Sequence, residues 1–162
     1  MGVAEWVFMP EGRKILRVPA SSANLGPGFD ALGLALDIYL ECRFRPAKAL
    51  AIRVSGRDAG SISSGGDNLI WQTALRVAAD TAQQMPPLDL EIHNDIPIGK
   101  GLGSSAAALT AGVVIANEVL DLGWDAERVL HEAAHIEGHP DNVAACTLGS
   151  IVASRPSRWL LR

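Results

Sequence analysis

Residues 131–142 read HEAAHIEGHPDN, a stretch that gathers residue types able to bind metals and move protons. His131, Glu132 and His135 form H-E-x-x-H, followed by Gly138 and Asp141. Histidines at i and i+4 share one helix face, as zinc requires, and the intervening glutamate is the general base of zinc hydrolases. The rest of that pattern does not follow. His139-Pro140 interrupts the expected turn, and Met1, Met9 and Met85 all lie upstream of where a methionine turn belongs. A helix rich in His, Glu and Ala produces so short a motif by chance, so a zinc hydrolase is the remote reading.

A second stretch, PIGKGLGSSAA at residues 97–107, suggests different chemistry. Gly99, Gly101 and Gly103 alternate and then a helix begins. Glycines let the backbone turn sharply and approach a ligand closely. The helix start adds unpaired N–H groups and the positive end of the macrodipole, where phosphates bind. Ser104 and Ser105 add hydroxyls that reach a phosphate or a metal, and either can cap the helix. This is neither a Walker loop nor a Rossmann loop. Lys100 is followed by Gly101 rather than Ser or Thr, and G-x-G-x-G misses the dinucleotide spacing by one residue. A plain strand-to-helix connection is the alternative, with Lys100 solvated.

The elements that must hold these stretches are legible from periodicity. Ile15, Leu16 and Val18 predict a short strand that Pro19 ends, followed by a loop rich in Ser, Asn, Gly and Pro. In that loop Asn24 and Asp30 flank Gly26-Pro27-Gly28. They either tie the turn through Asx-type bonds or offer polar groups to a small amino acid, Asp30 to an ammonium and Asn24 to a hydroxyl or carboxylate. Ile38, Leu40, Cys42 and Phe44 alternate with polar neighbours, which predicts a half-buried strand with ALAIRVSG as its hairpin partner. NLIWQTALRVAADTAQQ predicts an amphipathic helix, with Asn68 as its cap or as part of a base pocket. Leu88, Leu90 and Ile92 predict a strand, and DAERVLHEAAHIEG a helix capped by Asp125 and ended by Gly138. VAACTLGSIVAS predicts a turn or short helix and then a strand. Strands and helices interleave into an α+β layer with helices over one sheet face. Residues 1–12 read as an N-terminal arm and 13–162 as one domain.

Bulk properties narrow the partners. The chain has 162 residues, 48% hydrophobic and 20% charged, which suits a globular domain. A net charge of −4 without basic runs argues against nucleic acid. Cys42 and Cys146 do not make a disulfide framework, and no apolar run approaches a membrane span or a signal segment, so a cytoplasmic location is expected.

PIGKGLGSSAAA resembles the central motif of the GHMP kinases, in which this loop wraps the phosphates of ATP. VPASSANLGPGFDALGLALD and Glu137-Gly138-His139-Pro140-Asp141-Asn142-Val143-Ala144 are similar to the homoserine kinases of that family in particular. The resemblance implies an N-terminal domain of the ribosomal protein S5 domain 2-like fold, with a mixed sheet and helices on one face. It implies transfer of the γ-phosphoryl of MgATP to the side-chain hydroxyl of L-homoserine, a step toward threonine. It implies a nucleotide loop of Pro97, Ile98, Gly99, Lys100, Gly101, Leu102, Gly103, Ser104, Ser105, Ala106 and Ala107. Ser105 and Glu137 would hold Mg²⁺, with Glu132 the weaker candidate. Asn24, Asp30 and His139 would bind homoserine, and Asp141 and Asn142 would stand near the transferred group. The segment GDNL resembles the family's adenine-side segment. Family members also carry a C-terminal ferredoxin-like domain that these residues do not include. Ser150 and Ala145-Cys146 depart from the family pattern. A truncated chain that binds nucleotide without turnover, or another small-molecule kinase of the GHMP family, is therefore the alternative, and exposed apolar surface would invite instability or oligomerisation such as a homodimer.

Overall fold

The computed structural model describes residues 7–8, 12–23, 32–155 and 158–160. Asn24 and Asp30 lie outside the described residues. Seven strands form one sheet among the described residues: β1 (Val7–Phe8), β2 (Lys14–Ala23), β3 (Leu32–Pro46), β4 (Ala51–Gly56), β5 (Leu88–Asn94), β6 (Ile151–Arg155) and β7 (Arg158–Leu160). The helices are α1 (Leu69–Asp80), α2 (Ser104–Val119), α3 (Ala126–Glu137) and α4 (Pro140–Leu148).

The sheet runs in the order β1-β2-β3-β5-β4, with β6 also pairing β3. β3 carries the expected alternation, since Leu40, Cys42 and Phe44 are buried and Arg43 between them is exposed. The hairpin expected between β3 and ALAIRVSG does not form. β5 inserts between them, antiparallel to β3 (Phe44 opposite Leu90) and parallel to β4 (Ile52 opposite Leu90). Burial explains the choice. β5 buries Leu88, Leu90 and Ile92 to 1% exposure or less and belongs in the middle, whereas β4 buries only Ile52 and suits an edge. A parallel pair needs a crossover, and α1 supplies it.

Pro19 does not end its strand. β2 continues to Ala23, and its pairing with β3 shifts register between Pro19 and Ala20. A bulge accommodates a residue without an N–H, and β1 pairs only with Lys14 and Ile15, so no strand among the described residues needs that donor.

The core lies on one side of the sheet. α2 is its centre, with ten of the eleven residues from Ala106 to Ala116 buried, Ala108 being the exception. Gly112 lets α1 close on it, because a Cβ there would lie 2.5 Å from Thr73 Cβ and 2.7 Å from the Ile70 carbonyl. The other side is polar. Arg13 bonds Asp89 at 3.0 Å and Glu91 at 2.6 Å, Arg45 bonds Asp89 at 3.2 Å, and Arg53 bonds both carboxylates. That charged lattice keeps the opposite sheet face wet and leaves the helical side to build the site.

Candidate functional site

The glycine loop leaves β5 under two restraints at its root. Asn94, 1% exposed, donates through Nδ2 to the carbonyls of Arg57 and Ile96 at 2.9 Å each. Asp58 accepts from the Ile98 N–H at 3.0 Å. Beyond them the backbone alternates: φ is +70° at Gly99, +70° at Gly101 and +67° at Gly103, with Lys100 and Leu102 between them outside the left-handed region. Such alternation turns successive N–H groups toward one concavity, an anion-binding nest. Gly103 itself is the N-cap of α2 and makes no side-chain cap bond, so neither Ser104 nor Ser105 caps the helix. They are its first two residues. Their N–H groups have no intrahelical acceptor and their hydroxyls stay free for other partners.

The loop from Pro97 to Gly103, Lys100 excepted, lines a cavity of about 550 Å³ that Ser104, Ser105 and Ala106 continue. That volume suits a small-molecule ligand. Lys100 is exposed beside it, and Ala107 is buried in the core behind it. The far wall is the segment before α1. Asn68 accepts from the N–H groups of Ile70 at 3.0 Å and Trp71 at 3.3 Å and donates to the Ser63 carbonyl at 2.6 Å. It therefore caps α1 and also walls the cavity, where Asp67 joins it. The Ser63 hydroxyl holds the Asp67 carboxyl below its usual range.

The third wall comes from the histidine-rich stretch. Asp125 caps α3 through the Arg128 N–H at 2.8 Å, and Gly138, at φ +83°, ends it. Glu137, the last residue of α3, faces the cavity together with Asn142 of α4. Burial pushes the Glu137 carboxyl up; His139 opposes that shift and the Asp141 charge adds to it. A cation beside Glu137 would reverse it. A carboxylate and two serine hydroxyls on one cavity are hard oxygen donors of the kind Mg²⁺ prefers, so these residues fit that ion.

His139 is exposed at the N-terminus of α4 and does not line this cavity. Asp141 is 4% exposed, accepts from the Asn142 N–H at 2.7 Å, and also stands off the cavity wall. The H-E-x-x-H residues go elsewhere. Glu132 pairs with Arg128 at 2.5 Å, and His131 and His135 are exposed. No group of three His, Cys, Asp or Glu positioned for a metal occurs among the described residues.

One residue that sequence reasoning missed stands behind the walls and ties two of them together. Ser21 of β2 is fully buried, donates its N–H to the Leu102 carbonyl at 3.1 Å, and donates its hydroxyl to Asn142 Oδ1 at 2.9 Å. Asp58 and Asn94 were missed as well. Only Asn94, just ahead of the loop, carried a local hint as a turn-forming residue.

The glycine loop, the start of α2 and the acidic end of α3 thus share one cavity of an α+β domain. The family model described as "GHMP kinases N terminal domain" matches residues 68–150. The chain belongs to that family. It is 71% identical over 139 residues to a protein of Solibacter usitatus named homoserine kinase, covering 86% of this chain and 46% of that protein. A homoserine kinase of Deinococcus radiodurans is 42% identical over 139 residues, covering 86% of this chain and 45% of its own length. The crystal structure of homoserine kinase from Cytophaga hutchinsonii superposes with a TM-score of 0.74 at 30% identity, covering 90% of this chain and 49% of that one. Mevalonate kinase of Methanococcus jannaschii shares the fold, with a TM-score of 0.71 at 14% identity over 94% of this chain and 56% of that one. The chain spans about half the length of these relatives.

Proposed function

We propose that this chain is the nucleotide-binding half of a kinase that moves the γ-phosphoryl of ATP onto the side-chain hydroxyl of L-homoserine, giving O-phospho-L-homoserine. The observation that carries the reading is the alternating left-handed glycine loop facing the same cavity as Glu137. The acceptor is inferred from the 71% identity to a protein named homoserine kinase.

Phosphoryl transfer asks a protein mainly for positioning and charge stabilisation. The N–H groups of residues 99–105 would hold the phosphates, and the Ser61–Asp67 segment would close the other end of the nucleotide site. Ser105 and Glu137 would hold Mg²⁺, which neutralises phosphate charge when bound. Asn142, which lines the cavity, would face the transferred group, with Asp141 buried behind it. His139, Asn24 and Asp30 would meet the acceptor. Among the described residues the carboxylates on the cavity are Asp67 and Glu137, and with Glu137 given to Mg²⁺ the reading rests on orientation rather than on a strong general base.

The same reading puts the protein in the cytoplasm, acting on a small molecule without nucleic acid or membrane partners, with a homodimer as one option for its assembly. Free, buried Cys42 and Cys146 suit a reducing compartment. The net charge of −4 disfavours nucleic acid. No helix among the described residues is long and apolar enough to cross a membrane.

Titration calorimetry with MgATP, followed by coupled ADP release with homoserine, mevalonate or galactose, tests the proposal. Saturable MgATP binding and turnover with homoserine alone are expected. Binding without turnover would restrict the chain to nucleotide binding, and turnover with mevalonate or galactose instead would overturn the acceptor. No binding of MgATP would sink the reading altogether.

A further inference from the structure

Ser21 occupies the point where β2, the glycine loop and α4 meet, and it is 0% exposed. Its N–H is committed to the Leu102 carbonyl at 3.1 Å. Its hydroxyl has two neighbours, both on α4: Cys146 Sγ at 3.3 Å and Asn142 Oδ1 at 2.9 Å. Gly103 presses on it from the loop side, since a Cβ there would lie 2.0 Å from Ser21 Oγ.

These contacts assign the direction of every proton. Burial pushes the Cys146 thiol up to about 12, so it stays protonated at neutral pH and donates S–H to Ser21 Oγ. Ser21 has one proton, and the only acceptor facing it on α4 is the Asn142 side chain. An amide turned the other way would set an N–H donor against the serine and leave the serine proton only the weak sulfur acceptor of Cys146 in a dry site, which is unfavourable. The carboxamide oxygen therefore faces Ser21, and Nδ2, which reaches Asp141 Oδ1 with one N–H at a long 3.5 Å, has its other N–H as the donor that Asn142 offers to the cavity it lines.

We propose that Ser21 is a positioning residue that fixes the flip state of Asn142, so that α4 presents a hydrogen-bond donor rather than an acceptor to the oxygens of the transferred phosphoryl group. Through Leu102 the same residue locks that donor in register with the glycine loop, so both sets of donors are held at fixed separation before substrate arrives. Donors already aimed at developing charge need no reorganisation during reaction. The proposal rests on the phosphoryl-transfer reading for its purpose, but the orientation of Asn142 is testable without it.

Two measurements decide it. In steady-state kinetics Ser21→Ala should lower kcat by about 10- to 100-fold, the scale of a small misplacement of a reacting group, with little change in MgATP affinity. Ser21→Ala added to Asn142→Ala should cost nothing further, because the serine acts only through the asparagine. Asn142→Asp keeps an acceptor for Ser21 and removes the donor, so it should lose rate as Asn142→Ala does, and it reports on the donor claim even if Ser21→Ala folds poorly. In ¹⁵N-edited NMR the Asn142 side-chain amide should give one ordered pair of proton resonances in the wild type and a broadened or shifted pair in Ser21→Ala. Multiplying losses in the double variant, full activity in Asn142→Asp, or an Asn142 amide equally ordered without the serine hydroxyl would overturn the proposal. If no acceptor is phosphorylated at all, the kinase reading fails and the NMR result alone decides whether Ser21 orients Asn142.

Discussion

Replacing Gly103 by alanine puts a methyl group where the Ser21 hydroxyl now sits. Two costs arise and can be separated. The first is conformational: Gly103 has φ +67°, and an L-residue held there loses roughly 1–2 kcal/mol. The second is steric: the new Cβ would lie 2.0 Å from Ser21 Oγ, 3.1 Å from the Ser21 carbonyl oxygen and 3.2 Å from Ser21 Cβ. The hydroxyl must leave, which breaks its bond to Asn142 and forces the strand or loop to shift, at roughly 1–3 kcal/mol. Gly103→Ala should therefore destabilise by about 3 kcal/mol in urea denaturation, read as a lower midpoint at unchanged slope. Gly101→Ala isolates the first cost, because Gly101 has φ +70° and open space where its Cβ would be; it should lose only about 1 kcal/mol. Ser21→Ala removes the 2.0 Å contact and leaves only the looser ones, so adding Gly103→Ala to it should cost about 1–2 kcal/mol less than in the wild type. Equal losses at Gly101 and Gly103, or strict additivity with Ser21→Ala, would refute the claim that loop and strand interlock at this point.

Other consequences are more direct. Burial raises the Glu137 carboxyl in the folded state, so its favourable contribution is complete below the unfolded carboxyl value and is lost as pH rises through the folded one. Glu137→Gln should accordingly gain stability at neutral pH and none near pH 4 in thermal melts, while weakening Mg²⁺-nucleotide affinity at least about tenfold in calorimetry; a less stable variant at neutral pH would contradict this. Asp89 and Glu91 behave oppositely. Hydrogen bonds from Arg53 and Arg13 hold their carboxyls below the usual range, so their contribution is present above the unfolded values and lost as pH falls through the folded ones. Asp89→Asn with Glu91→Gln should flatten the acid limb of the stability profile, and an unaltered limb would show that the lattice does not contribute. Asn68→Ala removes the cap of α1 and should cost about 1–2 kcal/mol in urea denaturation. Both thiols are pushed up to about 12 by burial, so a thiol reagent should label Cys42 and Cys146 only as fast as the protein unfolds; immediate labelling in native buffer would place one of them at the surface.

What the chain revealed before folding was what lies within a few neighbouring residues. Asn68, Asp125 and Gly138 marked helix ends because capping joins groups two to four residues apart. Leu40, Cys42 and Phe44 marked a buried strand face through simple alternation, and the spaced glycines at 99, 101 and 103 marked a loop of left-handed turns because positive φ is a property of single residues. The tertiary structure decided everything that depended on competition between distant partners. Whether β4 or β5 sits beside β3 turned on which strand buries more apolar surface, and whether Pro19 ends β2 turned on the absence, among the described residues, of a strand demanding its N–H. Ser21 meets Asn142 across 121 residues of sequence and Cys146 across 125. No local pattern distinguishes that serine from the one beside it, because its role comes from being fully buried between a loop and a helix that only the closed sheet brings together.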